Sequence, residues 1–211
     1  MVDNIPRPVR MNSERLEGSA AMDPADQVMD PAERLAIAHQ TAGLLIGRGS
    51  REGTPIQVER LVAFAEENGL DILADLWSSA HPVSLPGALW RLYLVKAALS
   101  DNLADASTVF SRGIAELNTI DAAVVGAPDP LEPREFLAVL EDILRGAFDG
   151  SFPLALERAS AVARAVSAGV ISLTPGNDED DRYFSTRSLR WSVIADELSL
   201  SAKQAQAGTL S

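Results

Sequence analysis

The sequence predicts an all-α protein, either a compact bundle or stacked helix pairs, built from about seven helices. Three features point there. Apolar residues recur every three or four positions in successive windows. Ser, Thr or Asp stands just before several of these windows and Pro just inside them, the chemistry of helix starts. Alternating strand patterns and hairpin dipeptides between strands are essentially absent.

Residues 1–29 hold all four methionines and are rich in Pro, Asp, Asn and Ser, with no apolar period. Too little apolar surface is available there to offset the entropy of ordering, so a disordered N-terminus is expected. Met22 and Met29 are alternative starts to Met1.

Asp30 and Pro31 then open a first helix on Leu35, Ala38, Ala42, Leu45 and Ile46, stopped by Gly47 and Gly49. Thr54 and Pro55 repeat the start signal for a helix on Val58, Leu61, Val62 and Ala65, ended by Asn68 and Gly69. A shorter third helix over about 70–80 carries Ile72, Leu73, Leu76 and Trp77.

The fourth helix, about 85–99, follows the stretch "HPVSLPGALWRLYLV". Ser84 is its expected N-cap, Pro86 lies in its first turn, and His81 and Pro82 belong to the connection. Only Arg91 and Lys96 interrupt its apolar surface, which predicts the central helix of the fold.

A fifth helix uses Leu103, Ala106, Phe110, Ile114 and Leu117. Residues 118–132 form the longest internal break and the expected seam between subdomains. Pro133 starts a sixth helix on Phe136, Leu137, Leu140, Ile143, Leu144 and Ala147. A seventh uses Leu156, Ala159, Val162, Ala163 and Val166. The helical domain therefore covers 30–169, and 170–211 reads as an acidic linker, one short amphipathic helix and a polar tail.

Composition narrows the function classes. The absence of cysteine excludes disulfides, thiol nucleophiles and thiolate metal sites, and fits a cytoplasmic location. A net charge of −12 disfavours nonspecific binding to nucleic acid or anionic lipid and suits a basic partner. No apolar run reaches the length of a membrane span. Arginine outnumbers lysine 16 to 2, which with the abundant alanine suggests a GC-rich genome.

The motifs for chemistry are weak. His39 sits at the edge of the first apolar stripe without a second ligand three or four residues away, and reads as a core histidine. "GLLIGRGS" at 43–50 has the wrong order for a phosphate loop, because a helix precedes its glycines. The "DEDD" run at 178–181 lacks the glycine turn and distal glutamate of a calcium loop. No catalytic residue, metal site or cofactor is assigned.

Two constellations remain. Trp77, His81, Trp90, Arg91 and Tyr93 concentrate aromatic and basic groups that could line a ligand or partner pocket. Trp191, Ile194 and Leu198, with Ala195, make one apolar stripe that either docks into a partner's groove or packs back on its own domain. "IADELSLSAKQAQ" at 194–206 resembles the core of a helix-turn-helix, usually written IAxxLGxSxxTVxxxL. Ser199 stands where that motif has its turn glycine, and Ala205 replaces a β-branched core residue. "LPGALWRLYLV" resembles small all-helical actinobacterial proteins without assigned activity, over about residues 60–170, and implies no functional residues.

The reading that follows is a non-catalytic helical interaction or regulatory protein with a protein partner. A small-molecule binder or enzyme with an inter-helix pocket, and a DNA-binding regulator acting through the C-terminus, are the alternatives. Pairing of copies through one apolar face is left open.

Overall fold

Eight helices and no strand form among the described residues, which are 30–47, 71–117, 121–126, 131–149, 151–173 and 178–211 of the computed structural model. The disordered segment expected at 1–29 and the helix expected over 54–68 lie outside them. The chain divides into Met1–Pro31, of which only Asp30 and the first residue of a helix are described, and Ala32–Ser211, which carries the fold. The helices are α1 (Pro31–Leu45), α2 (Asp71–Trp77), α3 (Leu85–Ser100), α4 (Leu103–Leu117), α5 (Asp121–Val125), α6 (Pro133–Asp149), α7 (Phe152–Ser172) and α8 (Asp178–Gln206).

Local chemistry sets the best-defined starts. Ser84 caps α3, its Oγ accepting a hydrogen bond from Gly87 N at 3.2 Å, and Pro86 follows in the first turn. Ser151 does the same for α7, accepting from Leu154 N at 3.4 Å ahead of Pro153. A proline costs nothing there because the first amides have no helical acceptor.

The most enveloped helix is α7, not the expected α3. Its residues are buried on nearly every side, from Phe152 through Val170, and α3, α4, α5, α6 and α8 all pack on it. The alanines and small apolar residues along it let neighbours approach closely. Nowhere is this tighter than at the α4–α7 crossing. A Cβ on Gly113 would lie 1.7 Å from the Ala165 carbonyl oxygen, and one on Gly169 would lie 1.9 Å from that of Val109. Only glycine fits either position. Phe110 of α4 then meets Phe136 of α6, with ring centroids 5.0 Å apart.

The segment expected as a seam, 118–132, contains α5 instead, and α7 holds it at both ends. Arg164 donates through Nε and Nη2 to Asp121 Oδ1 at 3.1 and 3.0 Å. Arg158 donates to the Val125 carbonyl at 3.2 and 3.0 Å, and its Nη1 reaches Asp142 of α6 at 2.7 Å. Val125 is fully buried. α5 is thus tied to α7 and α6, and Ala32–Ser211 forms one compact unit.

The C-terminal region departs most from expectation. Of the stretch expected as linker plus short helix, Asp178–Gln206 is one helix of 29 residues. It runs antiparallel to α7: Ser188 faces Ser167, Ala195 faces Ser160 and Gln206 faces Glu157. Ser167 and Ser188 exchange hydroxyl-to-carbonyl bonds of 2.9 and 3.0 Å, and Ser160 donates to the Ala195 carbonyl at 2.7 Å. The expected polar tail folds back as well. Leu210 is buried, and the amide of Leu85 donates to the Ser211 carbonyl at 2.9 Å.

Candidate interaction surface

The five residues expected to line a pocket do not converge on one. Trp77 is in the core at 1% exposure, its Nε1 donating to Thr41 Oγ1 at 3.1 Å. His81 is exposed and accepts, through Nδ1, the amide of Val83 at 3.2 Å, a turn-forming contact. Trp90 and Tyr93 are half-buried and stack on each other with centroids 5.7 Å apart.

Arg91 pairs through Nε with Glu197 of α8 and through Nη1 with the Gly87 carbonyl at 3.2 Å. The two side chains keep only 14% and 22% of their exposure, so each neutralises the other in a mostly desolvated place. The arginine that stood out in the sequence therefore clamps α8 onto α3.

The stripe expected as a docking helix is also taken. Trp191, Ala195 and Leu198 are buried in the chain's own core, and Ile194 packs against it. They form the inner face of α8. The helix continues unbroken through Ser199, so the turn that a helix-turn-helix requires is absent.

A cleft of about 460 Å³ lies between the end of α4, α7 and α8, bordered by Glu116, Arg164, Ile171, Ser172 and Ser188. Its polar groups are already engaged with one another. Ser172 Oγ donates to Glu116 Oε1 at 2.8 Å while accepting from Arg112 Nε at 2.8 Å, and Arg164 is held by Asp121. No group of three or more metal-ligating side chains occurs among the described residues. None of those residues forms a helix long and apolar enough to cross a membrane.

Among the large apolar residues that packing leaves exposed, three lie on the outward face of α8. Leu189, Val193 and Leu200 are 64%, 46% and 47% exposed. Single exposed apolar residues are ordinary. These three, however, fall on a regular series: Arg182, Thr186, Leu189, Val193, Asp196, Leu200 and Lys203 alternate spacings of four and three, and all seven are exposed. That spacing keeps one line of side chains on one side of a helix and is the seam of a coiled coil. Arg190 is exposed beside it. Arg182, Arg190, Asp196 and Lys203 form no ion pair among the described residues.

Sequence reasoning passed over this series because its three apolar members are interrupted by Arg, Thr, Asp and Lys. The stripe with the tryptophan was the more apolar, and the more apolar stripe is the one a core takes. Comparison with protein families, with characterised proteins and with solved structures gives no match for this chain.

Proposed function

We propose that this chain is a non-catalytic helical interaction protein whose contact element is the outward face of α8. The observation that carries the reading is the exposed series through Leu189, Val193 and Leu200, a helix face with an apolar centre flanked by charges that form no ion pair among the described residues. Helix faces of this kind recognise other helices, because apolar knobs supply the attraction and flanking charges set partner and direction. The body of the fold supports the role mechanically. Arg91–Glu197 and the serine pairs to α7 hold α8 rigid, so its outer residues are preorganised for contact. A protein partner is therefore expected, and it meets α8 edge-on rather than entering the fold.

A photo-crosslinking residue at Val193, with a control at Glu141 on the exposed side of α6, tests this in cells. Adducts specific to position 193 that disappear on Leu189→Ser are expected. Equal adduct patterns at the two positions would remove the proposed role of α8.

A further inference from the structure

We infer that the occupant of this face is a second copy of the chain, bound as a two-fold antiparallel pair of α8 helices. The inference rests on the functional reading above and names its partner. Charge order along the series carries it. In a parallel pair each residue meets its own copy, so Arg182 would face Arg182, Asp196 would face Asp196 and Lys203 would face Lys203. Like charges along the seam disfavour that arrangement.

Antiparallel pairing reverses the result. With Leu189 set against Val193 of the other copy, the two-fold axis passes between two identical apolar layers, as an isologous contact requires. Thr186 then faces Asp196 of the other copy, and Arg182 and Arg190 lie one helical turn to either side of that carboxylate. Each copy contributes the same triplet, so Asp196 meets two arginines at both ends of the apolar centre. Leu200 lies over the aliphatic stem of the facing Arg182, whose charged head extends along the solvent edge toward Asp196 of the copy that carries Leu200.

The area places the contact in a size class. The series from 182 to 203 extends about 33 Å along the helix. Two helices touching over that length bury on the order of 1,000 Å², the lower end for specific contacts. A contact of this size with two central apolar layers is expected to be weak and reversible, with Kd on the order of 10 µM.

Sedimentation velocity of the full chain from about 1 to 300 µM reads this directly, at concentrations bracketing that Kd. A monomer converting to dimer across the range is expected, with Val193→Asp weakening association at least ~10-fold. Asp196→Arg should weaken it ~5-fold or more by placing arginine among arginines, and adding Arg182→Asp and Arg190→Asp should restore it to within about 2-fold. The charge-swapped chain keeps the test decisive if Val193→Asp disturbs the helix.

A chain that is monomeric throughout overturns the inference, as does a dimer indifferent to Val193→Asp and to the charge swap. If the chain is monomeric while position 193 still gives Leu189-dependent adducts to other proteins in cells, the second copy is refuted and the functional reading stands. If position 193 gives no such adducts, the functional reading falls with it.

Discussion

Replacing Gly113 by alanine adds one methyl group, and the structure says where it goes. The new carbon would sit 1.7 Å from the Ala165 carbonyl oxygen and 2.9 Å from the amide nitrogen of Gly169, both backbone atoms of α7. Separations under 3.0 Å are essentially never seen, so α4 and α7 must part by at least about 1.3 Å at this crossing. No side chain can swing away to relieve the contact. The move unseats Ala106, Phe110, Ala165 and Val166, all buried nearby. Overpacking costs about 1–3 kcal/mol, and backbone against backbone takes the upper part of that range. Alanine returns about 1 kcal/mol of helix propensity. The net loss is about 2 kcal/mol or more, a fall in Tm of about 4–8 °C for a chain of this size. Gly146→Ala is the matched control. Gly146 lies within α6 and a Cβ there meets nothing within 4 Å, so only the propensity gain of up to about 1 kcal/mol operates. Urea unfolding followed by helical circular dichroism should give opposite signs for the two variants at an unchanged m-value. Gly113→Ala behaving like Gly146→Ala would refute the close approach of α4 and α7.

Three further substitutions probe the packing and the charges. Trp77→Ala removes a fully buried ring and leaves Thr41 without its donor, so it should cost about 3–5 kcal/mol. Trp90→Ala, at a half-buried position stacked on Tyr93, should cost about half as much; equal losses in chemical denaturation would contradict the burial difference. Glu197→Gln strips the charge from the partner of Arg91 and should destabilise by about 1–3 kcal/mol. The double variant Arg91→Met with Glu197→Leu should recover part of that loss, and additive losses in the cycle would show that the pair does not act as a unit. Asp142 has its carboxyl pKa held below the ordinary value by the hydrogen bond from Arg158 and by the charges of Arg158 and Arg145, against a small opposing effect of burial. A depressed folded pKa adds stability above the unfolded value of about 4 and loses it as pH falls through the folded value. The effect is small because the side chain is 55% exposed. Wild type should exceed Asp142→Asn in stability at pH 7 and converge with it near pH 2; a gap independent of pH would remove the linkage.

Among the described residues, several helices were legible where start chemistry and one-sided periodicity coincided. Ser84 with Pro86, Pro133, and the stripes on Phe136, Leu140 and Ile143 or Leu156, Val162 and Val166 all appear where the sequence places them. Rank within the core was less legible. α3 reads as central because its apolar residues are large, yet α7 occupies that place with alanines and glycine. Bulk announces burial, whereas close helix packing is achieved by residues with little side chain at all. The short helix α5 escaped for a related reason. Two arginines of α7 hold it from 33 and 43 residues away, and no local pattern carries that information.

The C-terminus shows a different kind of limit. Periodicity finds a stripe on a helix, but α8 has two, on opposite faces: Trp191, Ala195 and Leu198 inside, and Leu189, Val193 and Leu200 outside. Which one a fold consumes depends on what runs beside the helix. Here α7 offers Ser160 and Ser167 at the spacing of Ala195 and Ser188, and that match selects the inner face. Reading the acidic run as a linker shortened the expected helix and hid the match, although acidic residues are equally what a helix N-terminus favours. Once α7 has taken the more apolar stripe, the weaker one is left facing solvent, its charges without an ion pair among the described residues. Its interrupted composition then has a physical sense. A seam that must stay soluble while empty has to carry arginine, aspartate and lysine among its leucines, and those same charges are what give an antiparallel partner its direction.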